Sequence, residues 1–341
     1  MRGEAMEMPK VSAFQRLLDG DVAALARAIS LLETGGPVGD ALADRLRDHV
    51  GSAGVVAFTG PPGAGKSTLI NAYVSELRQR GESVAVLAVD PSSPLSGGAV
   101  LGDRTRMGEH SADARVFIRS VASRGHLGGL ALSIPAIVDA VDAAGWSNIV
   151  LETVGAGQSE TEIAEIADVN IVLNAPGLGD DVQAIKAGIL EIADILVVNK
   201  CDLPLADRTI RQLKAMLQLR RAEGRNVPIL PTSAERGEGI GALADAIAAK
   251  MDGARTWMAD AGTSRRLPGL LRLRAEAAFH QQLHALPESD MESIVAKMTM
   301  EGLSVESATN MLTARAVAAG LHRPLLSAVA NSERDHWHCG F

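Results

Sequence analysis

From about residue 54 to 252 the chain alternates between short apolar runs and amphipathic stretches. The runs at 55–59, 84–89, 115–119, 148–152, 169–173, 195–199 and 228–231 are rich in Val and Ile, the pattern of strands buried on both faces. Helical patterns lie between most of them, at about 66–80, 129–144, 158–167, 181–193, 207–222 and 239–250. Such alternation predicts an α/β fold, a mostly parallel twisted sheet flanked by helices. Ligands in such sheets bind beyond the carboxyl ends of the strands. Polar motifs that directly follow strands are therefore where chemistry is expected.

The two ends read differently. Residues 1–50 form an N-terminal helical extension: Phe14, Leu17 and Leu18, then Val22, Leu25, Ala26 and Ile29, fall on helical spacing. Gly35-Gly36-Pro37 marks a break between helices. Residues 51–254 are the expected sheet domain. Residues 255–341 show three helical stripes, Leu270/Leu273/Ala277, Met291/Ile294/Val295/Met298 and Val305/Ala308/Met311/Leu312, with no strand pattern. Helices this thin in apolar content must pack on the sheet domain or on a second copy of themselves.

Composition narrows the class. Aromatic content of 3% makes the expected core aliphatic. A net charge of −8 argues against nucleic acid as the main partner, while leaving room for a local basic phosphate site. Two cysteines, Cys201 and Cys339, make no disulfide framework. The first residues lack the apolar stretch of a signal peptide, and no run of 18 apolar residues occurs, so no membrane association is expected and a cytoplasmic location is.

The strongest motif is Gly60-Pro61-Pro62-Gly63-Ala64-Gly65-Lys66-Ser67-Thr68, which meets the phosphate-loop pattern G-x-x-x-x-G-K-[ST] at every fixed position. A strand precedes it and a helix follows. Its glycines allow backbone N–H groups to turn toward phosphate oxygens, and the helix N-terminus adds partial positive charge. Lys66 is expected to reach the β and γ phosphates, and Ser67 to ligate Mg²⁺.

Asn199-Lys200-Cys201-Asp202 follows the strand at 195–199 and has the N-K-x-D form that selects guanine. A carboxylate at Asp202 accepts from guanine N1–H and N2–H₂, whereas adenine leaves a buried carboxylate unpaired. Cys201 is expected to be a small buried residue. Thr232-Ser233-Ala234 ends the next strand and resembles the element whose backbone N–H meets guanine O6. Glu152-Thr153-Val154-Gly155 stands where a D-x-x-G switch belongs, with Glu for Asp. Glu152 is a candidate Mg²⁺ carboxylate and Gly155 a γ-phosphate sensor. Gln158 is read as a helix-start residue ahead of a water-orienting one. Asp90 ends the strand at 84–89, the usual place for a metal-supporting carboxylate. Asp103 lies among Arg104, Thr105 and Arg106, which read equally as a phosphate-contacting loop or a solvated one. Residues 176–186, with Asp180, Asp181 and Lys186, read from chemistry alone as a loop with a capped helix. His336-Trp337-His338-Cys339 has no second pair at zinc spacing and reads as a tail.

The strings VDPSSPLSGGAVLGDRTRM (89–107), LETVGAGQSE (151–160) and NAPGLGDDVQAIKAGILEIADILVVNKCDL (174–203) resemble the MeaB/ArgK family of P-loop GTPases. The resemblance implies a homodimeric G-protein chaperone of an adenosylcobalamin-dependent acyl-CoA mutase, chiefly methylmalonyl-CoA mutase, joined through the C-terminal arm. It places Lys66, Ser67 and Thr68 on the phosphate and Mg²⁺ site, and Asp90, Asp103 and Glu152 on the carboxylates around the metal. Gly155 falls on the γ-phosphate, and Asn199, Lys200, Asp202 and Ser233 on guanine. Residues 176–186 fall on an additional switch toward the mutase. No D-x-H-x-x-G cobalamin pattern is present, so that cofactor is expected on the mutase or on a cobalamin adenosyltransferase. The expected reaction is GTP hydrolysis, slow alone and faster with the partner. The rivals are a metallocentre GTPase of the nickel-insertion type and a protein kinase acting on a transport-binding protein.

Overall fold

The computed structural model describes residues 12–91, 108–110, 112–123, 129–153, 159–177, 191–220, 227–261, 272, 275, 279 and 282–321. It divides into two compact units, Leu17–Leu271 and the pairing of Met1–Arg16 with Arg272–Phe341.

The larger unit is built on strands β1 (Gly54–Thr59), β2 (Val84–Pro91), β3 (Val116–Ser123), β4 (Asn148–Thr153), β5 (Val169–Asn174), β6 (Ile195–Val198) and β7 (Ile229–Pro231). They form one seven-stranded sheet in the order β3-β2-β4-β1-β5-β6-β7, and all of its pairings are parallel. Every residue of β1, β4 and β5 is buried, as a sheet covered on both faces requires. The helices are α1 (Ala13–Leu18), α2 (Val22–Thr34), α3 (Gly36–Leu46), α4 (Lys66–Gln79), α5 (Gly129–Ala143), α6 (Ser159–Ile166), α7 (Ala206–Arg220), α8 (Ile240–Ala261), α9 (Glu288–Met300) and α10 (Val305–Leu321). Among the described residues no helix is long and apolar enough to cross a membrane.

The core forms where α4 and α8 cover the sheet. Leu69, Ile70, Tyr73, Val74 and Leu77 of α4 and Leu243, Ala244 and Ile247 of α8 pack on Val56, Phe58, Val150, Ile171 and Val197. It is aliphatic apart from Phe58 and Tyr73, whose rings are 5.6 Å apart. Burial pushes the Tyr73 phenol above its ordinary range.

Two carboxylates anchor the amino end of β1, the strand that delivers the phosphate loop. Asp142 at the end of α5 accepts from the N–H groups of Gly51, Ser52 and Ala53 and from Ser52 Oγ, at 2.7–3.2 Å. Asp168 accepts from Val55 N–H at 2.9 Å. Helices α2 and α3 pack against α5, and Asp21 caps α2 by accepting from Ala24 N–H. Arg119 of β3 adds donations to Ala26 O, Ser30 Oγ and Glu33 Oε2 at 2.9–3.0 Å.

Three elements outrun their expected ends by two residues or more. β2 continues to Pro91 and β3 to Ser123, because the register between them holds throughout. α8 continues to Ala261, through Gly253, because the following residues are mostly good helix formers. In the smaller unit, α9 and α10 are joined by Arg315 Nη1 donating to Asp290 Oδ1 at 2.6 Å, with Ile294, Ala308 and Ala316 buried. The expected stripe Leu270/Leu273/Ala277 lies outside the described residues.

Candidate nucleotide site

The chain leaves the carboxyl end of central β1 at Gly60 and enters α4 at Lys66. Gly60 has φ +148°, and a Cβ there would stand 2.5 Å from the Leu173 carbonyl oxygen of β5. Gly65 has φ +85°, and its Cβ would stand 2.6 Å from Asn199 Nδ2. The loop is thus held tight on both flanks, which fixes its curvature around a concave row of amides at the start of α4.

Lys66 is buried, and its Nζ donates to Gly60 O at 2.7 Å and Pro61 O at 3.3 Å. The ammonium therefore sits on the loop it serves, with its aliphatic stem packed away from water. Ser67 Oγ donates to Glu152 Oε1 at 2.6 Å. That bond joins residues 85 positions apart, one from the start of α4 and one from the end of β4. Glu152 is nearly fully buried. A hydroxyl and a carboxylate beside a phosphate loop are a hard-oxygen donor set, which fits Mg²⁺. Thr68 is exposed on the first turn of α4, and Ala64 is fully buried.

The base-reading motif turns off β6. Asn199 links it to the phosphate loop: Nδ2 donates to Ala64 O at 3.0 Å, and Oδ1 accepts from Thr232 Oγ1 at 3.2 Å and Ala234 N–H at 3.1 Å. Lys200 adopts φ +56°, a left-handed conformation uncommon outside glycine, and its Nζ donates to Gly63 O at 2.9 Å. Asp202 Oδ1 accepts from Ser233 Oγ at 2.7 Å, and Arg236 Nη2 lies 3.6 Å from Oδ2. The Ser233 hydrogen bond, its own backbone and the Arg236 and Lys200 charges hold the Asp202 carboxyl below the usual range. A tight turn fixes Ser233, whose N–H and C=O both pair with Glu238.

Asp202 lies on an exposed turn, yet its side chain is mostly covered, at 17% exposure. Two expectations are corrected. The Ala234 N–H is directed onto Asn199. Cys201 is half-buried, because the motif turns outward after β6, and burial pushes its thiol up. Asp90 is the penultimate residue of β2, at the carboxyl edge of the sheet and in register with Ala122 of β3. Its side chain lies outside the description, as do Asp103, Gly155, Gln158, Asp180, Asp181, Lys186 and the His336–Cys339 tail. Thr232, the first residue of the Thr232-Ser233-Ala234 element, is fully buried on Asn199.

A phosphate loop on the central strand of a parallel sheet, beside an N-K-x-D turn, defines a P-loop GTPase. Residues 25–275 match the family model described as methylmalonyl-CoA mutase-associated GTPase MeaB, and the chain belongs to that family. A putative GTPase of Pyrococcus abyssi is 37% identical over 320 residues, 90% of this chain and 97% of the relative. GTPase ArgK of Escherichia coli is 44% identical over 200 residues, covering 58% of this chain and 60% of its own length. A solved structure described as a LAO/AO transport system kinase superposes with a TM-score of 0.63 at 27% identity, covering 89% of this chain and 95% of its own.

Proposed function

We propose that this GTPase is a slow, Mg²⁺-dependent switch that serves an adenosylcobalamin-dependent acyl-CoA mutase, with methylmalonyl-CoA mutase the first candidate. The observation that carries the nucleotide part is Asn199, whose one side chain bonds the phosphate loop at Ala64 and the base-reading turn at Ala234. The mutase part rests on membership of a family described by that association.

In this reading the loop amides and Lys66 bind the β and γ phosphates. Ser67 and Glu152 hold Mg²⁺, with Asp90 and Asp103 as further carboxylates. Bound Mg²⁺ neutralises charge on the phosphates. Gly155 senses the γ-phosphate, and Asn199, Lys200, Asp202 and Ser233 read guanine. Phosphoryl transfer needs positioning and charge compensation more than covalent chemistry. A site with those parts and no committed base hydrolyses slowly until a partner orders its loops. Residues 176–186, including Asp180, Asp181 and Lys186, form the switch toward that partner. Hydrolysis then times cobalamin loading and removal on the mutase, with a cobalamin adenosyltransferase as donor. The cofactor itself stays on those partners.

The test is single- and multiple-turnover hydrolysis of γ-labelled GTP, alone and with methylmalonyl-CoA mutase. Phosphate released into solution, faster with mutase, is the expected result. Equal rates with and without mutase would remove the coupling. Label transferred onto a transport-binding protein would favour the kinase reading, which the name of the superposed structure brings to mind.

A further inference from the structure

The backbone register between β1 and β4 ends at Phe58 opposite Glu152. One residue later each strand keeps only its outer backbone partner: Thr59 is in register with Val172 of β5, and Thr153 with Val89 of β2. The seam lies where β1 gives way to the phosphate loop at Gly60 and β4 reaches its last residue, Thr153. A side-chain bond spans it. Thr153 Oγ1 donates to Thr59 Oγ1 at 3.0 Å and lies 3.4 Å from Phe58 O. Both threonines are buried, at 1% and 3% exposure.

We propose that Thr153 is a positioning residue whose hydroxyl, bonded to Thr59 across the end of the β1–β4 ladder, fixes Glu152 against Ser67. Strand side chains alternate, so the hydroxyl pair lies on the sheet face opposite Glu152 and touches neither metal nor nucleotide. It adds one rung beyond the last backbone rung. In a buried site a hydrogen bond is strong and directional. Without it the last residues of β4 are held to β1 only up to Glu152 itself, and the 2.6 Å Ser67–Glu152 approach loses its support. The inference rests on the reading that Ser67 and Glu152 hold Mg²⁺. It also separates itself from a packing role. If Thr153 only fills space, Val serves and Ser leaves a gap. If the hydroxyl positions Glu152, Ser serves and Val does not.

The test follows release of a fluorescent GDP analogue from the full chain across a Mg²⁺ titration, for wild type, Thr153→Val and Thr153→Ser, with thermal melting alongside. Thr153→Val is expected to need about tenfold more Mg²⁺ for half of the retardation, the scale found when a residue behind a metal ligand is lost. Release without Mg²⁺ should be unchanged, and Thr153→Ser should match wild type. Thr59→Val removes the same bond from the other side and must give the same shift, which covers the case of a Thr153→Val that does not fold. A Thr153→Val that keeps the wild-type Mg²⁺ dependence, or a Thr153→Ser that loses it, overturns the inference. A wild type whose release ignores Mg²⁺ overturns the metal reading and this inference with it.

Discussion

Ser233 reaches its partner across a short stretch of space and 31 residues of chain, and its hydroxyl is the leading cause of the low Asp202 pKa. A carboxyl whose folded pKa is depressed is ionised at neutral pH, and the contribution of its charged form fades only as pH falls through that lowered value. Ser233→Ala removes the largest cause, so the Asp202 titration moves upward. NMR titration of the Asp202 side-chain carbon should show that rise, and the acidic limb of GDP binding should move to higher pH with it. No movement would mean that Arg236 and the backbone suffice. At this scale the site was legible wherever the chemistry is contiguous. Gly60 to Thr68 and Asn199 to Asp202 each carry their ligand class in neighbouring residues. What was hidden is pairing across the chain. Ser67 and Glu152 were both expected at the metal, but nothing in the sequence says that Thr232 meets Asn199 or that Ala234 spends its N–H inside the protein.

The same division holds among the elements. Within the described residues, which hold only the end of the expected helix at 181–193, the strands and helices of the sheet domain followed from periodicity, since each apolar run is local. Their anchoring did not, because Asp142 acts on residues about 90 positions earlier. Asp142 is buried and accepts three backbone N–H groups and one hydroxyl that position the entry to β1. Hydrogen bonds to a charged group contribute about 1.5–3 kcal/mol each. Asp142→Ala should therefore lower the urea unfolding free energy by at least the worth of one such bond. Asp142→Asn, which keeps an acceptor, should lose less. Equal losses would show that volume, not hydrogen bonding, sets the cost. Element ends were the least legible, for they depend on neighbours: β3 runs on because β2 does, and α8 passes Gly253 because the residues beyond favour helix.

For the whole molecule the sheet order places β1 between β4 and β5, so the phosphate loop, Glu152 and the base-reading turn after β6 share one edge. The smaller unit raises a different question. Met291 and Val295 of α9 and Val305 and Val317 of α10 are 44–70% exposed, though the helices already pack on each other through Ile294 and Ala308. We propose that a second copy covers them, as the family resemblance implies. Sedimentation equilibrium should find a dimer for wild type and a monomer for Met291→Glu/Val295→Glu with unchanged helix content. A monomeric wild type would end that idea.

Asn199 sets a limit on redesign. Because one amide group braces Ala64 on one side and Ala234 on the other, base preference and phosphate grip share a single fastening. A protein engineer who wants this scaffold to accept a different purine has more freedom at Asp202, whose side-chain partners Ser233 and Arg236 lie outside the phosphate loop, than at Asn199. Any change there would loosen the grip on the phosphates before it altered the choice of base.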